Sequence, residues 1–233
     1  MIAFDIEIAD VFELGPDEDL DARGPFRISV AATFDSSTGA SRVWHAVTPG
    51  GAPGGELSAA MARDVLEHLR TSQRAGQRIV AWNGLSFDLK WMGHAARDLA
   101  LASEVAEGLV DPMFQVFCLK GYPIGLAAVA EGMGIGVTKL MDGKDAPIEW
   151  QRGNCQRVLE YVVEDCRITT LVASAIESKR SVRWRTRKGS MSDLPIPKLL
   201  TVAEARELPD PDTSWMDKPM PREKFTRWLK PGR

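Results

Sequence analysis

MIAFDIEI, residues 1–8, alternates along its whole length. A strand turns successive side chains to opposite faces, so Ile2, Phe4, Ile6 and Ile8 share one face and Ala3, Asp5 and Glu7 share the other. Two acids at i and i+2 therefore point the same way, close enough to hold one cation together. Taken alone, the stretch fits an edge strand with one solvated face equally well, because charged residues on such a face are ordinary. The strand opens at Met1, which reads either as a short strand or as a start codon missed upstream.

Two further segments place an acid among apolar residues, where charge is costly unless it is paired or bound to a metal. In QRIVAWNGLSFDLKW (77–91), Ile79, Val80 and Ala81 read as a short buried strand that Asn83 and Gly84 break. Ser86 is placed to cap a helix starting near Phe87, with Asp88 in its first turn. Asp88 alone is equally explained as a complement to the helix dipole. In CQRVLEYVVEDCRITTLVASAIES (155–178), Val158, Tyr161, Val162, Asp165, Thr169 and Val172 recur at helical spacing. Tyr161 and Asp165, at i and i+4, stack on one largely apolar face, so Asp165 points inward while Glu164 is solvated. A core tyrosine beside a surface acid also fits that helix in isolation.

Taken together, the segments resemble the DEDD superfamily of 3′–5′ exonucleases, whose fold is RNase H-like. The three motifs of that superfamily occur in order: D-x-E at Asp5 and Glu7, N-x-x-x-F-D from Asn83 to Asp88, and Y-x-x-x-D from Tyr161 to Asp165. They span most of residues 1–177. The tyrosine in the third motif is similar to the DEDDy branch, with the proofreading domains of family B DNA polymerases and their stand-alone bacterial relatives. The histidine branch would want His at position 160, which here is Glu160. One departure is Ile8, where the family usually has threonine after the first glutamate; altered nucleotide contacts are expected there rather than lost metal binding.

The resemblance implies a site for two divalent cations, Mg²⁺ or Mn²⁺, hard ions that prefer carboxylate oxygen and water. Asp5 would bridge both metals. Glu7 and Asp165 would complete the site of the metal that activates water, and Asp88 would support the second. Tyr161 would orient the attacking water, while Asn83 and Phe87 would hold the terminal nucleotide, although Phe87 fits plain core packing as well. The implied activity is hydrolysis of phosphodiester bonds at 3′ ends of single-stranded nucleic acid, with DNA the expected substrate. An RNA-processing exonuclease, or a catalytically silent nucleic-acid-binding module of the same fold, are the alternatives. Retention of all four acids and Tyr161 argues against the silent module.

The rest of the chain agrees with an α/β protein. Its 233 residues are 44% hydrophobic and 26% charged, typical of a globular chain. FRISVAATF and SRVWHAV flank the turn-rich DSSTGA, a hairpin signal. The expected order is strands at 1–8, 26–34 and 41–48, a helix at 57–75, a strand at 78–82, then mostly helices to 179. That is a mixed central sheet flanked by helices, with the RNase H-like opening. The acidic loop ELGPDEDLDARGP is expected to be solvated. Asp111 is expected to cap a helix and Thr201 another. The glycines of GIGVTKLMDGKD follow no nucleotide-binding spacing, and Lys139 and Lys144 in it are read as solvated. Cys118, Cys155 and Cys166 show no C-x-x-C spacing, Cys166 reads as core, and a reducing cytoplasm fits. No signal peptide and no apolar run of membrane-spanning length is present, so no membrane partner is expected.

Charge divides the chain. Residues 178–233 carry fourteen Lys/Arg against seven Asp/Glu, or +7; residues 1–177 carry fifteen against twenty-five, or −10. The chain is accordingly read as an RNase H-like exonuclease domain over 1–177 and a small basic C-terminal extension over 178–233, a strand plus a short helix packing on the body. In KRSVRWRTRKGS, Arg183, Arg185, Arg187 and Lys188 surround Trp184. Basic residues interleaved with an aromatic suit phosphate contacts and base stacking; an edge strand protected by charge fits as well. Trp215, Met216, Phe225 and Trp228 are too apolar for a free tail and should pack back on the body or grip a protein partner.

Overall fold

The computed structural model describes residues 1–13, 15, 18–136, 140–186 and 188–229. Its centre is a four-stranded mixed sheet made of β1 (Ile2–Ile8), β2 (Ile28–Asp35), β3 (Ala40–His45) and β4 (Ile79–Val80). The order is β3-β2-β1-β4: β1 runs antiparallel to β2 and parallel to β4, and β3 is antiparallel to β2. β1 is thus an interior strand with both faces covered. This excludes the edge-strand reading of FDIEI: β1 has a strand on each side, and α7 lies over the face that carries its acids.

Helices cover the two faces. Ile2, Phe4, Ile6 and Ile8 point into one core, shared with Val65, Leu66 and Leu69 of α1 (Ala59–Arg74), and with residues of α2 (Asp88–Ala96) and α3 (Leu99–Glu107). Ser58 caps α1 by accepting from the Met61 N–H. Ala3, Val30 and Ala32 point into the second core, against Val158, Val162 and Cys166 of α7 (Cys155–Lys179). The Cys166 thiol donates to the Ala32 carbonyl at 3.4 Å, pinning this long helix over β1 and β2. Cys166 is core, as its helix position implied.

Between α3 and α7 lie α4 (Pro112–Lys120), α5 (Leu126–Met133) and α6 (Ala146–Gln151). Asp111 caps α4 as expected, accepting from the Phe114 N–H. Ser86 does not cap α2. Its hydroxyl donates instead to the Asn83 side-chain oxygen, and Phe87 stands at the cap position without a side-chain bond.

The C-terminal segment returns to both cores. It forms a hairpin of β5 (Ser181–Arg185) and β6 (Met191–Pro195), then α8 (Val202–Arg206) and α9 (Glu223–Thr226), a second strand and a second helix beyond the expected pair. Val182 and Trp184 enter the second core, and Val202, Phe225 and Trp228 the first. β5 lies so close to α5 that a Cβ at Gly132 would sit 2.4 Å from the Arg183 carbonyl oxygen. Thr201 and Glu204 form a reciprocal capping box on α8. Trp228 donates its indole N–H to the Leu85 carbonyl at 2.9 Å. Among the described residues no helix is long and apolar enough to cross a membrane.

Candidate metal centre

The sheet brings the acids together. Asp5 and Glu7 lie opposite Ala32 and Val30 in the β1–β2 register, on the face that α7 covers. α7 turns Tyr161 and Asp165 toward them. One carboxylate oxygen from each of Asp5, Glu7 and Asp165 lies within 4.8 Å of the others. Two of these residues come from the first strand and one from a helix late in the chain.

Asp88 arrives from the other side of β1. β4 pairs with β1 only at Ile2 and Ala3, so the ladder ends before Ile6. The first turn of α2 fills the gap: Asp88 accepts the Ile6 N–H at 3.1 Å. Asp88 is therefore more than a complement to the helix dipole. It stands in for a missing strand partner, and that bond brings its carboxyl into hydrogen-bonding contact with Asp5.

All four acids line one cleft of about 360 Å³ together with Tyr161, Asn83, Phe87 and Lys144. Lys144 is exposed, as expected, and also lines the cleft, whereas Lys139 lies outside the described residues. Glu7 and Asp88 are buried, and no lysine or arginine among the described residues pairs with Asp5, Glu7 or Asp88. Burial first, then mutual repulsion, pushes the Asp5 and Glu7 carboxyls well above the usual range. Burial likewise raises Asp88 to about 7. The Tyr161 hydroxyl donates to Asp165; burial and the surrounding carboxylates push its pKa far up, so it stays protonated. Gly143 faces that hydroxyl, and a Cβ there would come within 3.5 Å of it.

Asp88 in the folded chain keeps its proton between its ordinary 3.8 and about 7, whereas the unfolded chain loses it near 3.8. The folded state then binds more protons, so stability falls as pH rises through that window. Without divalent cations, the midpoint of thermal unfolding is expected to drop as pH rises from about 4 to about 7, and added Mg²⁺ to recover it most at the alkaline end. Thermal scans at several pH values in EDTA and in Mg²⁺ measure both trends.

Asn83 takes up a left-handed conformation, φ 68°, which asparagine tolerates better than most residues. Asp111 holds that turn, accepting from the N–H groups of Asn83 at 3.1 Å and Leu85 at 3.0 Å. Asp111 is thus a support of the site as well as a helix cap. Its long-range role has no local sequence signal, since the partners lie 26 and 28 residues away. Phe87 lines the cleft and also packs on Phe26, with ring centroids 5.9 Å apart.

Of the basic cluster, Arg183, Arg185 and Lys188 do not line the cleft. Arg183 and Arg185 stand on the exposed side of β5, paired with Asp193 and Glu131. Lys188 is exposed in the hairpin turn, and Arg187 lies outside the described residues. Trp184 is 4% exposed, with its ring in the second core, which removes it as a stacking surface. Strand alternation accounts for this: residues flanking Trp184 face out because it faces in. No protein-family model matches the chain, and neither does any curated protein.

Proposed function

We propose that the chain is a metal-dependent nuclease of the DEDD superfamily, of its DEDDy branch, with an RNase H-like core. It removes nucleotides from 3′ ends of single-stranded nucleic acid, with DNA the favoured substrate. The observation that carries this reading is the convergence of Asp5, Glu7 and Asp165 within one ligand sphere, with Asp88 against Asp5. An oxygen-only set of buried and half-buried carboxylates, with no basic partner at Asp5, Glu7 or Asp88 among the described residues, matches what Mg²⁺ or Mn²⁺ takes, whereas protein zinc sites are built mostly on nitrogen and sulfur.

In this reading Asp5, Glu7, Asp88 and Asp165 would hold the two cations, with Asp5 placed to serve both. The two cations would supply charge stabilisation to the attacking and leaving oxygens of the phosphodiester. The chain's own residues do the rest. Tyr161, held protonated, hydrogen-bonds and aligns the water that attacks phosphorus. Asn83 presents its side chain at the cleft from a turn that Asp111 holds rigid. Phe87 offers an apolar wall to the terminal nucleotide. Lys144 lines the same cleft, where a lysine suits a phosphate oxygen.

Digestion of 3′- and 5′-labelled DNA and RNA oligonucleotides with Mg²⁺, Mn²⁺ or EDTA tests the reading. Stepwise shortening from the 3′ end that EDTA stops is the expected result, and the faster of the two substrates assigns the class. A folded, metal-loaded chain that leaves every oligonucleotide intact rejects it.

A further inference from the structure

The acid-lined cleft continues past Asn83 into a second cleft of about 520 Å³. The two share Leu20, Trp82, Asn83 and Phe87. Pro123 and Ile124 form another part of the second cleft's wall, held by the Trp82 indole N–H, which donates to the Ile124 carbonyl at 2.9 Å. Tyr122 leads into that wall. Its ring meets the Trp215 ring edge-on, with centroids 6.0 Å apart at 84°.

Trp215 is 65% exposed, whereas Trp44, Trp91, Trp150, Trp184 and Trp228 are buried. A large aromatic left in water needs a reason. Its position is also built into the fold. Gly121 ends α4 at φ +80°, and a Cβ there would lie 2.4 Å from Thr213 Cγ2 and 3.2 Å from Met216 Cε. Only glycine lets the 213–216 turn seat so closely. Within that turn the Met216 N–H donates to the Thr213 carbonyl at 2.9 Å and the Trp215 indole to the Asp212 carbonyl at 3.2 Å. Lys120, just before Gly121, and Lys218, just after the turn, form no ion pair among the described residues.

We propose that Tyr122 and Trp215 form a stacking platform for the bases that precede the scissile phosphodiester, so that a single strand crosses the C-terminal tail on its way to the acids. The inference rests on the nuclease reading above. Three features favour a nucleic-acid strand as the occupant: Tyr122 adjoins Pro123 and Ile124 in the wall of a cleft that opens into the acid-lined one, the aromatic pair leaves Trp215 open to a base, and two uncommitted lysines stand by for phosphates. Single-strand sites combine those elements, since every base offers a face to stack and every linkage a charge.

Acrylamide quenching of tryptophan fluorescence tests this on the full chain. The probe is an oligothymidylate of roughly twelve nucleotides, within the span of such sites, in Ca²⁺ to limit cleavage. The strand is expected to shield Trp215, and Trp215→Ala to abolish the shielding and weaken binding about 5- to 150-fold, the range for one stacked base. Trp215→Phe should recover most of the affinity, which a merely structural loss in the tail would not predict. Quenching unchanged by the strand, with equal affinity for Trp215→Ala, overturns the platform. If the wild-type chain still trims 3′ ends in Mg²⁺, only the platform falls. Shielding of Trp215 without hydrolysis in any metal leaves strand binding at Trp215 but rejects the nuclease reading, and with it the platform's place ahead of a scissile bond.

Discussion

Asp5→Asn is expected to abolish nuclease activity, by at least about 10³-fold, while making the metal-free protein more stable. The two effects have one cause. Asp5 lies against Asp88 and within a ligand sphere of Glu7 and Asp165, and all three push its carboxyl up. Replacing it with a neutral isostere relieves that repulsion, but leaves neither proposed cation its shared ligand. Each kcal/mol gained raises the unfolding midpoint of a chain this size by about 2–4 °C. The variant should also lose most of the midpoint rise that Mg²⁺ gives the wild type. Thermal scans with and without Mg²⁺, beside a rate assay, read all three quantities. Undiminished cleavage by the folded variant would sink the assignment of Asp5 as a ligand.

Tyr161→Phe separates positioning from metal binding. The hydroxyl donates to Asp165 from within a buried helix face and stays protonated, so it serves as a donor and not as a base. Its loss is expected to slow hydrolysis by about 10²–10⁴-fold, the range that a positioned proton partner contributes. Mg²⁺ affinity, measured by the shift of the unfolding midpoint with metal concentration, should change only a few-fold. One hydrogen bond is removed, worth about 0.5–1.5 kcal/mol of stability. A collapse of metal affinity in step with the rate would make Tyr161 a ligand rather than an orienting group.

The sequence carried much of this site, for local reasons. Alternation in MIAFDIEI put Asp5 and Glu7 on one face, and helical spacing put Tyr161 above Asp165. The Asp111 and Thr201 caps were legible because a cap and its N–H lie within one turn. Other features were not. Ser86 has the right identity and place for a cap, yet the strained turn at Asn83 claims its hydroxyl. The residues around Trp184 alternate as a binding strand would, but the inward side of β5 meets α5 and the second core. A period of two tells which residues oppose one another and not which side is wet.

Periodicity, capping and the types of the acids are properties of neighbouring residues, and the sequence by itself determined them: an α/β chain with strands, helices and four carboxylates in apolar settings. Only the tertiary structure decided that β1 is interior, that β4 stops after two pairs so that Asp88 takes the Ile6 N–H, and that α7 crosses the sheet where Asp165 reaches Asp5 and Glu7. Those are statements about partners far apart in the chain, 82 residues for Ile6 and Asp88, and they depend on which strands pair and which helix covers which face. Seating of the tail on Gly121, which leaves Trp215 in water while Phe225 and Trp228 are buried, is of the same kind. Each apolar residue of the tail has the same tendency to leave water, and the shape of the surface it meets settles which of them can.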